Sequence, residues 1–173
     1  MFYICICLII GYIFGCFSTG YFIGKANNID IRKYGSGNSG TTNALRTLGF
    51  KAGLLTFLGD ALKAVIPILC VKFLFRQAAE YTQLLALYTG LGVVLGHNFP
   101  FWLRFQGGKG IAATAGVMMA FDWRFGLIAM AVFIVIVAIT RYVSIGSLLL
   151  SLVFPAGILL FYGDSPAFLH MLI

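Results

Sequence analysis

The sequence predicts an all-α fold, a polytopic membrane helix bundle of six spans plus the start of a seventh. Three observations predict it. Hydrophobic residues make up 61% of the chain and charged residues 10%, against roughly 25% charged in an ordinary soluble domain. Uncharged runs recur near the length of about 20 residues that crosses a bilayer as a helix. The charges that remain gather in short polar stretches between those runs. A soluble protein of 173 residues could not hide so much apolar surface, because its surface must be mostly wet. Residues 1–173 read as a single integral-membrane domain with no linker or low-complexity stretch.

Met1–Gly24 carries no charge and is long enough to cross once. The polar stretch Lys25–Lys51 follows, and Ala52–Phe75 forms a second span that contains Asp60 and Lys63. After the turn Arg76–Glu80, the uncharged Tyr81–Leu103 makes a third span whose end runs into Phe99-Pro100. Arg104–Lys109 is the next polar patch. Gly110–Phe121 is apolar but reaches only about 18 Å at helical rise, so it predicts a short or partly inserted helix. Trp123 and Arg124 mark an interface. Phe125–Thr140 and Tyr142–Gly163 are two further spans, separated by Arg141. Gly163-Asp164-Ser165-Pro166 predicts a turn and a helix start, with Pro166 at a favourable first position. The run from there to Ile173 reaches only about 12 Å, so a seventh span is begun and the sequence is expected to be truncated.

The distribution of Lys and Arg sets the orientation. With the N-terminus outside, the inner loops hold Lys25, Arg32, Lys33, Arg46, Lys51, Arg104, Lys109 and Arg141. The outer side holds Lys72, Arg76 and Arg124. This satisfies the positive-inside rule and predicts an inner (plasma) membrane protein with its glycine-rich loops in the cytoplasm. The first apolar run lacks a preceding basic residue and a small-x-small cleavage site, so it reads as an anchor and not a signal peptide. The net charge of +7 sits beside membrane spans without a soluble basic face. It therefore points to lipid headgroups and anionic substrates, and not to nucleic acid. Cys5, Cys7, Cys16 and Cys70 all fall inside apolar spans and read as inert packing residues, with no metal or redox site. The pairs Gly11/Gly15, Gly20/Gly24 and Gly92/Gly96 permit close helix approach, and the chain is expected to be a monomer packed on itself. Pro67 and Pro155 are expected to kink their spans.

The chemistry lies in two loops. The first reads Gly35-Ser36-Gly37-Asn38-Ser39-Gly40-Thr41-Thr42-Asn43-Ala44-Leu45-Arg46. Gly35, Gly37 and Gly40 satisfy G-x-G-x-x-G, but a dinucleotide site needs a preceding strand and a soluble parallel sheet, and neither is predicted. The glycines still let backbone approach an anion closely, and Thr41–Arg46 predicts a helix start whose free N–H groups face it. Ser36, Asn38, Thr41, Thr42 and Asn43 offer hydroxyls and amides, and Arg46 offers a planar fork for phosphate.

The second loop reads Gly96-His97-Asn98-Phe99-Pro100-Phe101-Trp102-Leu103-Arg104-Phe105-Gln106-Gly107-Gly108-Lys109-Gly110. A Walker A motif would need Gly at 103 and Ser or Thr at 110, where the chain has Leu103 and Gly110, so ATP hydrolysis is unsupported. Gly107, Gly108, Lys109 and Gly110 nonetheless precede an apolar helix, and backbone N–H groups, a helix N-terminus and one lysine converge there on an anion. His97, among aromatics at a membrane boundary, reads first as a hydrogen-bonded structural residue and second as a catalyst. Asp60 and Lys63 share one helical face. Charges inside a span must face the bundle interior or a watery cavity, so these two form either a structural pair or part of a polar site.

The run GSGNSGTTNALR, the GD-x-x-K pair and GHNFPFWLRFQGGKG, in that order and separation, resemble the bacterial acyl-phosphate-dependent glycerol-3-phosphate acyltransferases over nearly the whole chain. The resemblance implies a seven-helix bundle with cytoplasmic active-site loops. It implies transfer of a fatty acyl group from acyl phosphate to the 1-position of sn-glycerol 3-phosphate, giving lysophosphatidic acid in phospholipid biosynthesis. By motif position, Ser36, Arg46 and Lys109 are the implied catalytic residues. Gly35, Gly37, Asn38, Gly40, Thr41, Asn43, Gly107, Gly108 and Gly110 line the implied phosphate site, with Asp60, Lys63 and His97 in support. It implies no metal, no cofactor and no dedicated protein base, a substrate phosphate helping to activate the attacking hydroxyl. Gln106 replaces the family's usual lysine, and Ala64 stands where a glycine often follows the lysine. The family's third motif, His-Arg-x-Asn-Ile and a glutamate, lies beyond Ile173, and His170 is not its histidine.

The alternative is a membrane transporter of a phosphorylated small molecule. Transporters show paired halves with interrupted helices at corresponding places, whereas these two glycine loops differ in length, partners and position. An acyl-CoA-dependent acyltransferase with a His-x-x-x-x-Asp motif is excluded, because the fifth residue after His97 is Trp102.

Overall fold

The computed structural model describes residues 1–163. They form eight α-helices: α1 (Phe2–Gly15), α2 (Thr19–Ala26), α3 (Thr41–Leu48), α4 (Phe50–Leu74), α5 (Ala79–Asn98), α6 (Ile111–Phe121), α7 (Trp123–Thr140) and α8 (Val143–Tyr162), with short 3₁₀ turns at Ile31–Lys33 and Phe101–Leu103. Among the described residues, five stretches are long and apolar enough to cross a membrane, and Ile111–Phe121 is a shorter apolar helix. This agrees with the six predicted spans. The start of a seventh helix at Pro166 falls outside the described residues.

The bundle is apolar on its outside. Leu62, Leu69, Ile139, Leu152 and Leu160 are all exposed, an arrangement that water would penalise and lipid accepts. Polar groups lie within instead: Thr56, Asp60, Lys63, Thr89 and His97 are buried.

Glycines decide how the first helix meets the fifth. A Cβ on Gly11 would strike the backbone of Thr89, and one on Gly15 the backbone of Val93. From the other side, a Cβ on Gly92 would strike Leu8 and one on Gly96 the carbonyl of Tyr12. The two backbones therefore touch along a seam that admits no side chain, so the small-xxx-small spacing is used within one chain.

The first span, expected over Met1–Gly24, is not one continuous helix. Its helix breaks after Gly15 and resumes at Thr19. The break has partners: the indole Nε1–H of Trp102 donates to the Cys16 carbonyl at 2.8 Å, and the Lys63 ammonium donates to the Phe17 carbonyl. A carbonyl freed from a helix inside a membrane protein must find a donor, and these two supply it. Pro67 and Pro155 both lie inside helices that continue through them.

The short helix α6 fits because of where it starts. Lys72, near the far end of α4, donates to the carbonyls of Ala120 (3.2 Å) and Phe121 (2.7 Å), so the last turn of α6 lies beside that end. Gly116 packs against the Ala61 backbone. The N-terminus of α6 thus lies well inside the bundle, and the Gly107–Gly110 segment descends to meet it. At the same far end, Asp122 caps α7. Its carboxylate accepts from the Arg124 backbone N–H at 3.0 Å, from the Arg124 guanidinium at 2.7 Å and from the Tyr162 hydroxyl at 2.9 Å.

Candidate active site

Both glycine loops open onto one cleft of about 730 Å³. Ser36, Thr41, Arg46 and Lys109 border it, with His97 and Asp60. The other half of its wall is apolar, built from Ala115, Ala129, Met130, Phe133 and Leu148 of α6, α7 and α8. A cationic, hydroxyl-rich mouth therefore continues into a greasy wall between helices.

The first loop owes its shape to Asn43. This side chain is 2% exposed, and its Nδ2 donates toward the carbonyls of Ile31 (3.1 Å), Tyr34 (3.1 Å) and Asn38 (2.8 Å). Its Oδ1 accepts the Ser36 backbone N–H at 2.9 Å. One amide thus gathers four points along the 31–38 backbone, and Ser36 is presented from the turn it closes. Gly35 has φ +58°, and a Cβ there would collide with Asn43 Oδ1, so both the conformation and the close approach require glycine. Thr41 opens α3 as predicted, with its Oγ1 buried and unbonded within the described residues. Arg46 sits in the last turn of the same helix.

Two contacts join the loops. Asn38 Nδ2 donates to the Gly107 carbonyl at 3.5 Å. Arg32 is held by Asp30 through a 2.9 Å ion pair, lies over the Tyr21 ring and reaches the Leu103 carbonyl at 3.5 Å. The Arg32 guanidinium beside Asp30 holds that carboxyl below the usual carboxylate range.

The second loop folds back on the end of α5. Gly107 N–H donates to the Asn98 carbonyl (3.1 Å) and Gly108 N–H to the His97 carbonyl (3.0 Å). A Cβ on Gly108 would overlap the His97 imidazole, so a glycine is needed for the loop to lie flat on that ring. Gly110, at φ +79°, turns the chain into α6. Lys63 pairs with Asp60 at 2.9 Å and meets His97 Nδ1 at 2.8 Å. The predicted supporting residues are therefore one contact group beneath the loop.

The chain matches the family model described as glycerol-3-phosphate acyltransferase over residues 5–173. The chain belongs to this family. A relative so named from Thermoanaerobacter sp. (strain X514) is 43% identical, over 95% of this chain and 81% of the relative. Another, from Clostridioides difficile (strain 630), is 47% identical over 80% of this chain and 69% of the relative. Among solved structures, the glycerol 3-phosphate form of PlsY (YgiH), an integral membrane glycerol 3-phosphate acyltransferase, matches with a TM-score of 0.81 and 36% identity. That match covers 94% of this chain and 78% of that one. The lysophosphatidic acid form matches with a TM-score of 0.79 at 34% identity. A family of integral membrane acyltransferases fits the bundle better than the transporter alternative.

Sequence reasoning missed part of the cleft. Arg141, Ser144 and Ser147 also line it, although Arg141 entered the sequence reading only as a topological charge. Its position between two spans on the same side as Lys109 was the available signal. The apolar wall had no local signature, because its residues resemble any other span.

Proposed function

We propose that this chain transfers a fatty acyl group from acyl phosphate to the 1-hydroxyl of sn-glycerol 3-phosphate, releasing inorganic phosphate and forming lysophosphatidic acid. The observation that carries this reading is the two-sided cleft, whose cationic mouth suits phosphate and whose apolar wall suits an acyl chain. Arg46 and Lys109 hold the phosphates, with Ser36, Thr41 and the loop N–H groups as neutral donors. The C1 hydroxyl oxygen attacks the acyl carbonyl carbon. The tetrahedral intermediate collapses with cleavage of the bond to phosphate, which leaves with the electron pair and takes up the hydroxyl proton. The cations and hydroxyls stabilise charge on the intermediate and the leaving group, while the loops keep acceptor and acyl carbon adjacent. The glycine loops face the cytoplasm, and the protein works as a monomer.

Purified protein in nanodiscs should release phosphate from acyl phosphate only when glycerol 3-phosphate is present, with no need of CoA or added metal. Acylation from acyl-CoA but not from acyl phosphate would overturn the reading.

A further inference from the structure

Lys63 occupies the centre of a buried polar knot, with its side chain 5% exposed and that of Asp60 1% exposed. An ammonium has three N–H donors and no acceptor. Three groups surround this one: His97 Nδ1 at 2.8 Å and the Phe17 carbonyl stand as acceptors, and Asp60 Oδ1 is the counter-ion at 2.9 Å. The Phe17 carbonyl is available only because the helix breaks between α1 and α2. The ion pair leaves the knot neutral overall, which a buried site requires.

The tautomer of His97 follows. Facing an ammonium, Nδ1 must present its lone pair, which places the proton of the neutral ring on Nε2. Nε2 is the ring atom nearest to where a Cβ on Gly108 would stand, one residue from Lys109. It has no hydrogen-bond partner among the described residues, and His97, at 4% exposed, borders the cleft.

We infer that His97 donates its Nε2–H to an anionic oxygen held at the second glycine loop, and that Lys63, anchored by Asp60 and the Phe17 carbonyl, is the positioning residue that fixes this tautomer. This rests on the cleft being the acyl-transfer site. The nitrogen facing Gly108 of the second loop already carries its proton, so His97 acts there as a donor and not as the base for the attacking hydroxyl. It also adds a hydrogen bond without adding charge, so binding of phosphate by Arg46 and Lys109 is complemented and not duplicated. Asp60 matters through Lys63: an unpaired carboxylate beside the cleft would repel the same phosphates.

The test is the ¹⁵N spectrum of histidine-labelled protein in nanodiscs near neutral pH. The chain has two histidines, and loss of one set of signals in His97→Gln assigns the other set to His170. The expected spectrum shows His97 protonated at Nε2 and bare at Nδ1, with the Nε2 signal moving on addition of glycerol 3-phosphate. In Lys63→Met the tautomers should mix. A proton on Nδ1, an imidazolium, or an Nε2 signal blind to the ligand would each overturn the inference. In the acyl-transfer assay, His97→Ala should lower kcat roughly 10- to 100-fold. His97→Gln, whose amide N–H reaches the Nε2 position, should recover most of that loss, and His97→Asn should not. A His97→Gln protein as slow as His97→Ala would also overturn it. If the tautomer and the ligand response appear without acyl transfer, the functional reading fails and the anion donor stands.

Discussion

The amide oxygen of Asn43 accepts the backbone N–H of Ser36 at 2.9 Å, so the residue that closes the first glycine loop does so from seven positions further along the chain. The two N–H groups of the same amide are shared among three carbonyls around it. Asn43→Asp keeps the acceptor for Ser36 but turns a carboxylate oxygen toward those carbonyls. It should therefore be worse than Asn43→Ala, which leaves the Asn38 carbonyl and the Ser36 N–H without their partner at about 1–3 kcal/mol. Both should lower kcat at least tenfold while KM for glycerol 3-phosphate changes less. Equal kcat in both variants and wild type would remove Asn43 from any part in presenting Ser36.

Much of this site is legible in the amino-acid sequence. The two loops, α3 opening at Thr41 and the short helix before Phe121 could all be read because glycine, charge and hydropathy have local signatures. The role of Asn43 could not. An asparagine in a glycine loop reads as one more ligand for phosphate, and only the fold shows its amide turned onto backbone. The break at Cys16–Ser18 was equally silent, since no proline or charge marks it and the groups that satisfy its carbonyls, Lys63 and Trp102, come from far along the chain. Asp60 and Lys63 could be paired from their spacing on one helical face, but the contact of that pair with His97 depends on how α4 packs beside α5.

Orientation gives a second prediction. Lys33 and Gln106 are exposed on the two loops, whereas Ser39 is buried and would be a poor reporter. With Cys5, Cys7, Cys16 and Cys70 replaced, cysteine at position 33 or 106 should resist an impermeant thiol reagent in intact cells and react after the membrane is opened. Cysteine at Arg76 should react in intact cells. The reverse pattern would invert the topology and move the site to the other face.

Acid stability tests the far end of the bundle. The Arg124 guanidinium, the backbone N–H and the Tyr162 hydroxyl hold the Asp122 carboxyl down to about 2, below the roughly 3.9 of an unfolded aspartate. A depressed carboxylate contributes stability that is present above the unfolded value and lost as pH falls through the folded one. Asp122→Ala should therefore lower the melting temperature at neutral pH, by the equivalent of about 1–2 kcal/mol for the lost cap. The gap to wild type should narrow as pH drops from about 4 to 2. A gap that stays constant over that range would show that Asp122 acts through packing and not charge.

The apolar wall makes its own claim. Ala115 faces the cleft from α6, and Ala115→Phe would fill part of the space assigned to the acyl chain. Transfer from long-chain acyl phosphates should fall more than transfer from short-chain ones, with the response to glycerol 3-phosphate little changed. A uniform loss across chain lengths would place the acyl chain elsewhere.

The cations separate a built site from a basic surface. On the proposed reading, Lys109→Ala and Arg46→Ala should each remove a charge-assisted hydrogen bond to phosphate, worth about 1.5–3 kcal/mol, or roughly 10- to 150-fold in the affected step. Folding should survive, because both side chains are exposed at the mouth of the cleft and neither belongs to the packed interior. Lys33 is equally cationic and sits on the same loop as Ser36, yet it is not among the residues bordering the cleft. Lys33→Ala should therefore leave acyl transfer within about twofold, since a surface charge acts only through a screened field. Ser36→Ala discriminates further. As a neutral donor to phosphate, Ser36 is worth about 0.5–1.5 kcal/mol, a loss of only a few-fold to about tenfold, whereas a hydroxyl that positions the reacting atoms costs far more. Its presentation from the turn that Asn43 closes favours the larger loss. Each rate is to be measured in nanodiscs on protein shown to be monodisperse. If Lys33→Ala slows the reaction as much as Lys109→Ala, the cations act as a diffuse basic face and the site assigned to the two loops is wrong.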